Sequence, residues 1–415
     1  MGKEDLRKIA LELVRDGKGI LAIDESSDSM GKKFENFNIS NTAENRRRFR
    51  NVLIEAEGIE EYISGVILHM ETFDQRNDKN ILFVESLSSR GIIPGIKLDQ
   101  GLGKIEYDDV KIKATKKAKE VEENVPENVK SSVKNAGDKV VGFMKQHSEY
   151  AKNKIEEHER PLTEEEKVKE AKKYGEFIKR SSADNAEETY HEQVTRGLED
   201  LEKTLASKKY EKAKFAKWRS VFKITKRTPT FEAIDKNCDI LAQYAKLCQL
   251  HDLVPIVEPE VLFEGNFTIE EHYRVLKYVL SLLSNKLNYH DVDLDSVLFK
   301  IGFVTSGKNK ASVDKESTTR LTSEAILSTI PIKVPGIVFL SGGHTCEDAI
   351  DYLRMICGLD AEINLTFSYG RALTSNAMKK WNGNDNNVED ARKVFLQDCQ
   401  VSSKASKQRN LVRKG

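Results

Sequence analysis

Short apolar segments recur along the chain, and most of them are followed by a stretch with helical periodicity. In the segment DSVLFKIGFVTSG (295–307), a lysine, Lys300, interrupts residues that are otherwise mostly apolar or small. A run of this length and composition indicates a buried strand. Because an unpaired buried ammonium group is unfavourable, a lysine there is expected to be neutralised, ion-paired or used in chemistry.

Eight apolar segments predict eight strands. They are GILAIDES (19–26), YISGVIL (62–68), PGIKL (94–98), FAKWRSVFKI (215–224), LVPIVEPEVL (253–262), SVLFKIGFV (296–304), GIVFLSGG (336–343) and INLTFSYG (363–370). Strands that alternate with helical segments indicate βα units and a parallel sheet. Eight such units predict an α/β fold, the (β/α)8 TIM barrel.

One charge-rich segment, 104–193, interrupts this rhythm after the third predicted strand. Apolar residues recur at helical spacing within 141–155, and TEEE at 163–166 is typical of a capping box. We therefore predict an N-terminal barrel part (1–103), a charged helical insertion (104–193), a C-terminal barrel part (194–400) and a basic flexible tail (401–415). The insertion is either a solvated excursion without a role, a lid, or an element that binds a protein partner.

Composition excludes several classes of protein. Lys+Arg and Asp+Glu both number 67, and this zero net charge argues against a general nucleic-acid or membrane-surface binder. No run of about 18 apolar residues is present, so no membrane span is expected. The five cysteines lack CxxC spacing and indicate reduced thiols in a cytoplasmic protein. The eight histidines form no HxH or HxxxH pair, so no metal site is expected.

Charged and polar side chains fall within or at the C-terminal ends of nearly every predicted strand. They are Asp24, Lys97, Lys217, Arg219, Glu258, Glu260, Lys300, Ser341 and Arg371. Any one of them alone is typical of a solvated rim, but packing does not require one on almost every strand. Because active sites of barrels lie at the C-terminal ends of the strands, the pattern predicts an active site there.

Several segments closely resemble the class I fructose-bisphosphate aldolase family. They are GKGILAIDES, ENRRRFR, YISGVIL, PGIKLDQG, FAKWRSVFKI, VPIVEPE, FLSGG and FSYGRAL, and the resemblance covers about 1–103 and 196–400. It implies a lyase of glycolysis and gluconeogenesis that reversibly cleaves fructose 1,6-bisphosphate to dihydroxyacetone phosphate and glyceraldehyde 3-phosphate. The family uses a lysine Schiff base and no cofactor or metal. It also suggests a homo-oligomer, either a tetramer or a dimer.

The resemblance implies catalytic roles for five residues. Lys300 matches the Schiff-base lysine, and Lys217 matches a lysine that assists the intermediates. Glu258 matches the general acid/base, Glu260 a supporting carboxylate, and Asp24 the group that interacts with the C4 hydroxyl of the substrate. Burial and a second cation nearby both lower the pKa of a lysine, and Lys300, with Lys217 expected to face it across the barrel, suits both causes. Whether Glu258 is held ionised or tuned towards neutral pH stays open.

The resemblance also implies two phosphate-binding ends. Backbone N–H groups after a barrel strand, together with an arginine, suit a phosphate dianion. The residues that match this first end are Ser341, Gly342, Gly343, Ser368, Gly370 and Arg371. The residues that match the opposite end or its surroundings are Lys97, Arg219, Ser26, Ser29, Lys33 and Arg46.

The chain departs from the family pattern at four places. Ile301-Gly302 replaces Pro-Asn after the lysine, and Lys33 replaces an arginine, which loses a bidentate donor. The long insertion follows Lys97, and no tyrosine follows Tyr369, whereas the family ends in one. These departures leave two alternatives open: an aldolase that prefers fructose 1-phosphate, and an aldolase-derived interaction or scaffold protein with weak or no catalysis.

Overall fold

The computed structural model describes residues 2–105, 192–311, 314–359 and 363–407. The strands are β1 Gly19–Ile23, β2 Ile63–Leu68, β3 Ile93–Lys97, β4 Leu102–Lys104, β5 Gln193–Thr195, β6 Phe215–Phe222, β7 Val254–Val261, β8 Leu298–Ile301, β9 Gly336–Phe339 and β10 Asn364–Tyr369. The helices are α1 Lys3–Leu13, α2 Ser27–Glu35, α3 Ala43–Ile54, α4 Met70–Phe73, α5 Phe83–Ser89, α6 Leu201–Ala206, α7 Phe231–Leu250, α8 Ile269–Tyr289, α9 Lys315–Thr329, α10 Cys346–Cys357, α11 Arg371–Trp381 and α12 Val388–Ser406. Short 3₁₀ turns span Ile59–Glu61, Leu294–Ser296 and Asp385–Asn387.

Eight parallel strands close into a barrel in the order β1-β10-β9-β8-β7-β6-β3-β2. The predicted fold class is therefore confirmed, and each predicted strand is present. The predicted ends were less accurate, because β8 stops at Ile301 instead of continuing to residue 304. Beyond it, the backbone N–H of Val304 donates to Thr322 Oγ1 on α9 at 2.9 Å, so the chain leaves the sheet and runs along the helices.

The N-terminal half of the barrel interior is apolar, and we call it the barrel floor. It consists of Ile20, Ala22, Ile67, Phe215, Val254, Ile256, Leu298 and Val338 from the strands, packed with Leu6, Ala10, Leu13 and Val14 near the N-terminus. Helix α1, which contributes Leu6, Ala10 and Leu13 to this cluster, thus closes this end of the barrel. Gly95 is required here, since a Cβ at this position would lie 2.3 Å from the ring of Phe215.

Strands β4 and β5 pair antiparallel on either side of the predicted insertion. The backbone N–H of Ile105 donates to Glu192 O at 2.9 Å. The Glu192 side chain is buried and accepts from the N–H and the Oγ1 of Thr230, which caps α7, at 2.6 and 2.7 Å. Ordered structure therefore extends inside both predicted limits of the 104–193 insertion. Its predicted helices fall within 106–191, outside the described residues.

The C-terminal helix is longer than the sequence suggests. α12 continues to Ser406, and Ser402, Ala405 and Ser406 are buried. Ser403 Oγ donates to Gly17 O at 2.6 Å and ties this end to the barrel. The flexible tail predicted from residue 401 therefore begins too early, because small side chains let the last helical turn pack closely. Residues 408–415 lie outside the described part of the chain.

Among the helices of the described residues, none combines the length and the apolar composition that crossing a bilayer requires.

Candidate functional site

Alternation along the barrel strands brings the predicted catalytic side chains to the interior. Side chains two residues apart on a strand point to the same face. On β6 this face carries Phe215 and then Lys217, and on β8 it carries Leu298 and then Lys300. The charged residues therefore form a layer directly above the barrel floor, at the C-terminal ends of the strands.

Four predicted catalytic residues contact one another in this layer. Lys300 Nζ lies 3.1 Å from Glu258 Oε1, and Lys217 Nζ lies 3.1 Å from Glu258 Oε2. Lys217 Nζ also lies 2.9 Å from Asp24 Oδ2. Glu258 lies on β7, the strand between β6 and β8, and bridges the two lysines, so they do not face each other across the barrel as expected. Of the states expected for a buried lysine, Lys300 therefore has an ion pair, with Glu258.

Opposite charges fix the ionisation of this group. Burial alone would raise the pKa of Asp24, but Lys217 and Lys300 outweigh it and hold that pKa well below its ordinary value. The same two lysines lower the pKa of Glu258 despite its burial. Burial alone would lower the pKa of Lys217, but Asp24, Glu258 and Asp99 raise it well above the ordinary value. Glu258, left open from the sequence, is therefore a carboxylate in the free protein.

The structure adds Asp99, a buried carboxylate that the sequence analysis did not select. Its Oδ1 lies 3.1 Å from Lys97 Nζ, and its Oδ2 lies 3.8 Å from Lys217 Nζ. It stands two residues after Lys97 in the segment KLDQG. The predicted strand ends at residue 98, one residue before Asp99, and a charged side chain so close to a strand end is the signal that indicates it.

Arg219 and Glu260 form a second ion pair beside the lysines. Arg219 Nε donates to Glu260 Oε2 at 2.5 Å. Although burial opposes the charge, Glu260 and Glu258 raise the pKa of Arg219 above its ordinary value. Arg219 therefore keeps its charge next to Glu258.

The first predicted phosphate end lies after β9 and β10. Gly342 and Gly343 have φ values of 54° and 92°, a conformation that other residues rarely adopt, so the turn depends on glycine. Nη2 of Arg371, the first residue of α11, lies 3.8 Å from where a Cβ on residue 343 would be. The turn of Ser341–Gly343 and the start of α11 therefore meet, as the sequence predicted, whereas Ser368 Oγ is buried in β10 without a hydrogen-bond partner.

His344 directly follows this turn, and the sequence analysis did not select it. Its ring centroid lies 4.2 Å from that of Phe263. Burial lowers the pKa of His344 to about 4, so the ring is neutral at physiological pH. Arg371 is therefore the charged group of this turn in the free protein.

The opposite predicted end follows β1. Ser26 caps α2 and accepts from the backbone N–H of Ser29, and Lys33 forms an ion pair with Glu25. The three predicted residues are therefore brought together at one helix start.

Arg46 is less available for a ligand than expected. Its guanidinium donates to both carboxylate oxygens of Glu71, at 2.8 and 2.7 Å, and to Asn41 Oδ1 at 2.7 Å. A direct contact between Arg46 and substrate stays a prediction, and the geometry places Arg46 as the residue that fixes Glu71.

Within the described ranges, no group of three or more His, Cys, Asp or Glu residues is arranged to hold a metal ion. Lysines occupy the positions between the buried carboxylates.

Comparisons with known proteins agree on one family. The glycolytic family model fructose-bisphosphate aldolase class-I matches residues 5–146 and 175–413, which leaves part of the predicted insertion unmatched. A fructose-bisphosphate aldolase of Encephalitozoon cuniculi is 37% identical over 393 residues, which cover 94% of this chain and 91% of the relative. Fructose-bisphosphate aldolase 2 of Caenorhabditis elegans is 34% identical over 407 residues, which cover 97% of this chain and 89% of the relative.

A solved structure is similar over almost the whole length. It is the Plasmodium falciparum fructose-bisphosphate aldolase in complex with TRAP and a small-molecule inhibitor, with a TM-score of 0.75 and 33% sequence identity. The match covers 98% of this chain and 96% of that chain.

Proposed function

The chain belongs to the class I fructose-bisphosphate aldolase family, and we propose that Lys300 forms the Schiff base of its reaction. The protein is a lyase that reversibly cleaves fructose 1,6-bisphosphate to dihydroxyacetone phosphate and glyceraldehyde 3-phosphate. The observation that carries the assignment is the 3.1 Å separation of Lys300 Nζ and Glu258 Oε1 inside the barrel. An ammonium group must lose a proton before its nitrogen attacks a carbonyl, and an ionised carboxylate at this distance can accept that proton.

Glu258 handles the protons of imine formation. It takes one proton from Lys300, the neutral amine adds to C2 of the substrate, and a second proton passes from the nitrogen to the former carbonyl oxygen. The protonated Glu258 then donates to the resulting hydroxyl, which leaves as water. The resulting iminium ion on Lys300 is the electron sink for cleavage. Because Glu258 is also 3.1 Å from Lys217, its carboxylate is stabilised each time it regenerates.

Asp24 accepts the proton of the C4 hydroxyl as the bond between C3 and C4 breaks. The bonding electrons move into the iminium ion and form an enamine, and the aldehyde leaves. Asp24 is suited to this role because Lys217, 2.9 Å away, keeps it ionised. Lys217 stays a cation and offsets the negative charge that develops at this end of the substrate.

The strand order supports a proposal for the two phosphate ends. The turn Ser341–Gly343 and Arg371 follow β9 and β10, and β9 is next to β8 with Lys300, so we propose this end for the phosphate on C1. Lys97 is on β3, across the barrel from β9, so we propose it for the phosphate on C6. Ser26, Ser29, Lys33 and Arg219 belong to the C6 end, and Ser368 and Gly370 to the C1 end. Glu260 supports the C6 end through its ion pair with Arg219.

Contact among all four catalytic residues favours an active enzyme over a scaffold derived from one. A protein selected only for binding has no need to keep Lys300, Lys217, Glu258 and Asp24 within ion-pair distance in a buried layer, where unmatched charges are costly. The cleavage reaction is therefore the function that the geometry supports best.

We also propose that the protein is a cytoplasmic homo-oligomer, a tetramer or a dimer. Leu327 and Leu359, which are 64% and 41% exposed, line one surface cleft between α9 and α10, and such a shared apolar patch suits a contact between copies of the chain. A protein partner bound through 104–193 stays a hypothesis, since most of that segment lies outside the described residues. Light scattering of the purified protein tests the oligomer, and a monomer at micromolar concentration contradicts it.

Borohydride trapping tests the assignment of Lys300. The protein is incubated with dihydroxyacetone phosphate, reduced with sodium borohydride and digested, and the modified peptide is identified by mass spectrometry. Modification should fall on Lys300 and disappear in Lys300→Met. Lys308→Met, which removes an exposed lysine of the following loop, is the matched control and should retain the label. Labelling of another lysine, or of none, contradicts the proposal.

A further inference from the structure

Asp99 is a buried acid for which the reaction described above has no role. Its side chain is 5% exposed. One oxygen, Oδ1, pairs with Lys97 at 3.1 Å, and the other, Oδ2, faces Lys217 at 3.8 Å without accepting a hydrogen bond. The carboxylate therefore stands between the phosphate-binding lysine and the central catalytic lysine.

The backbone on both sides of Asp99 is fixed. The N–H of Leu98 donates to Lys217 O at 3.2 Å, and the N–H of Gln100 donates to Arg196 O at 3.0 Å. Arg196 in turn donates its N–H to Gly101 O at 2.9 Å. These bonds fix the backbone at Asp99, and the buried carboxylate is directed at the two lysines by its contacts with Lys97 and Lys217.

We propose that Asp99 is a positioning residue that couples the C6-phosphate end of the site to the catalytic lysines. It holds Lys97 where the phosphate arrives, and it is the third anion around Lys217, next to Asp24 and Glu258. The inference rests on the roles proposed for Lys97 and Lys217. The raised pKa of Lys217, to which Asp99 contributes, agrees with it.

The two contacts predict separate effects on binding and on turnover. A fixed carboxylate beside Lys97 opposes the phosphate dianion electrostatically, while its hydrogen-bonding geometry orients the ammonium group. Asp99→Asn removes the charge and leaves an amide oxygen that can accept from Lys97. Asp99→Ala removes both. A loss through Lys217 affects every substrate, whereas a loss through Lys97 affects only substrates that carry a C6 phosphate.

The experiment compares the kinetics of both variants on fructose 1,6-bisphosphate and fructose 1-phosphate. Asp99→Asn should lower kcat roughly tenfold on both substrates without raising KM for the bisphosphate, since Lys217 loses an anion while Lys97 keeps its partner. Asp99→Ala should in addition raise KM about tenfold for the bisphosphate alone. Asp235→Asn is the matched control, because Asp235 pairs with Lys286 at 2.9 Å outside the barrel mouth, and its kcat should be unchanged.

Unchanged kcat in Asp99→Asn overturns the inference, and so does a parallel rise in KM for both substrates in Asp99→Ala. Borohydride trapping at Lys300 separates this result from the proposed mechanism. If Lys300 is labelled in the unmodified protein while Asp99→Asn keeps full kcat, only the role of Asp99 fails. If Lys300 is not labelled in the unmodified protein, the mechanism itself fails.

Discussion

The barrel floor and the charged layer above it are built from the same strands, but apolar packing holds the floor together and ion pairs hold the layer together. Phe215 and Lys217, Ile256 and Glu258, and Leu298 and Lys300 are pairs two residues apart on β6, β7 and β8. One step along each strand, about 6.6 Å, therefore changes the interior from apolar packing to ion pairs. The floor holds the strands together through burial of apolar surface, and the layer above it holds the reactive groups.

The charged layer is balanced. Three cations, Lys97, Lys217 and Lys300, face three anions, Asp24, Asp99 and Glu258, and each cation has an anion within 3.1 Å. Buried ion pairs seldom add stability relative to apolar packing, and removal of one partner is costly. The layer is therefore kept for chemistry and depends on the floor below it for its rigid support.

The largest expected effect comes from the charged layer. Lys300→Met removes the only proposed covalent route, and activity should fall at least about 10⁴-fold. Because Glu258 keeps Lys217 as a partner, the melting temperature should stay within about 5 °C. Leu298→Met, on the same face of β8 in the floor, is the matched control and should cost less than about 1.5 kcal/mol and retain activity. Steady-state cleavage assays measure the activity of both variants, and thermal unfolding measures their stability. Comparable activity losses in the two variants would contradict the separation between a structural floor and a catalytic layer.

A substitution in the floor should have the converse effect, with stability lost and activity retained. Phe215→Ala removes a fully buried ring that lies against Gly95, and it should lower the free energy of unfolding by about 3–5 kcal/mol. The folded protein should keep kcat within about threefold, since the groups above are unchanged. Urea unfolding and active-site titration by borohydride trapping check this. Phe215→Leu, which retains most of the volume, should lose clearly less stability, and an equal loss would show that ring packing is not the cause.

Acid should weaken the charged layer before the floor. The pKa of Asp24 is lower in the folded protein than its ordinary 3.8, so its ionised form stabilises the fold. That contribution is complete above about pH 4 and is lost as pH falls towards the folded pKa. Asp24→Asn should therefore flatten the fall in unfolding free energy between about pH 4 and pH 2.

Asp398 is a control because its pKa shifts in the opposite direction to that of Asp24. Burial raises the pKa of Asp398 above 3.8, so its ionisation disfavours the folded state as pH rises. Asp398→Asn should remove a loss of stability that begins near pH 4 and develops upwards. Equal pH dependence in both variants, measured by urea unfolding in matched buffers, would show that neither shift contributes.

The smallest expected effect concerns metal. Lysines stand between the carboxylates of the charged layer, so dialysis against EDTA should leave the cleavage rate within about twofold. Loss of activity that zinc restores would contradict this.

The sequence predicted the barrel because eight apolar segments with intervening helical stretches have few alternative arrangements. It also predicted which side chains share the interior, since period-2 alternation is a local property. It did not predict that Glu258 bridges Lys300 and Lys217, because distances between side chains on neighbouring strands depend on strand tilt and register, which are set by closure of the whole sheet. Asp99 was missed because it lies past the end of β3, where alternation no longer applies.

The hydrogen bond between Ile105 and Glu192 has a consequence for how the chain can change over generations. It holds the two ends of the intervening segment together. The barrel is therefore connected to this segment in the same way whatever sequence lies between residues 105 and 192. The entropy of closing a flexible loop grows only logarithmically, by about 0.6 kcal/mol for each doubling of length. Lengthening or replacing this segment therefore need not disturb the strands or the lysines, and new binding properties can be gained there while catalysis is preserved.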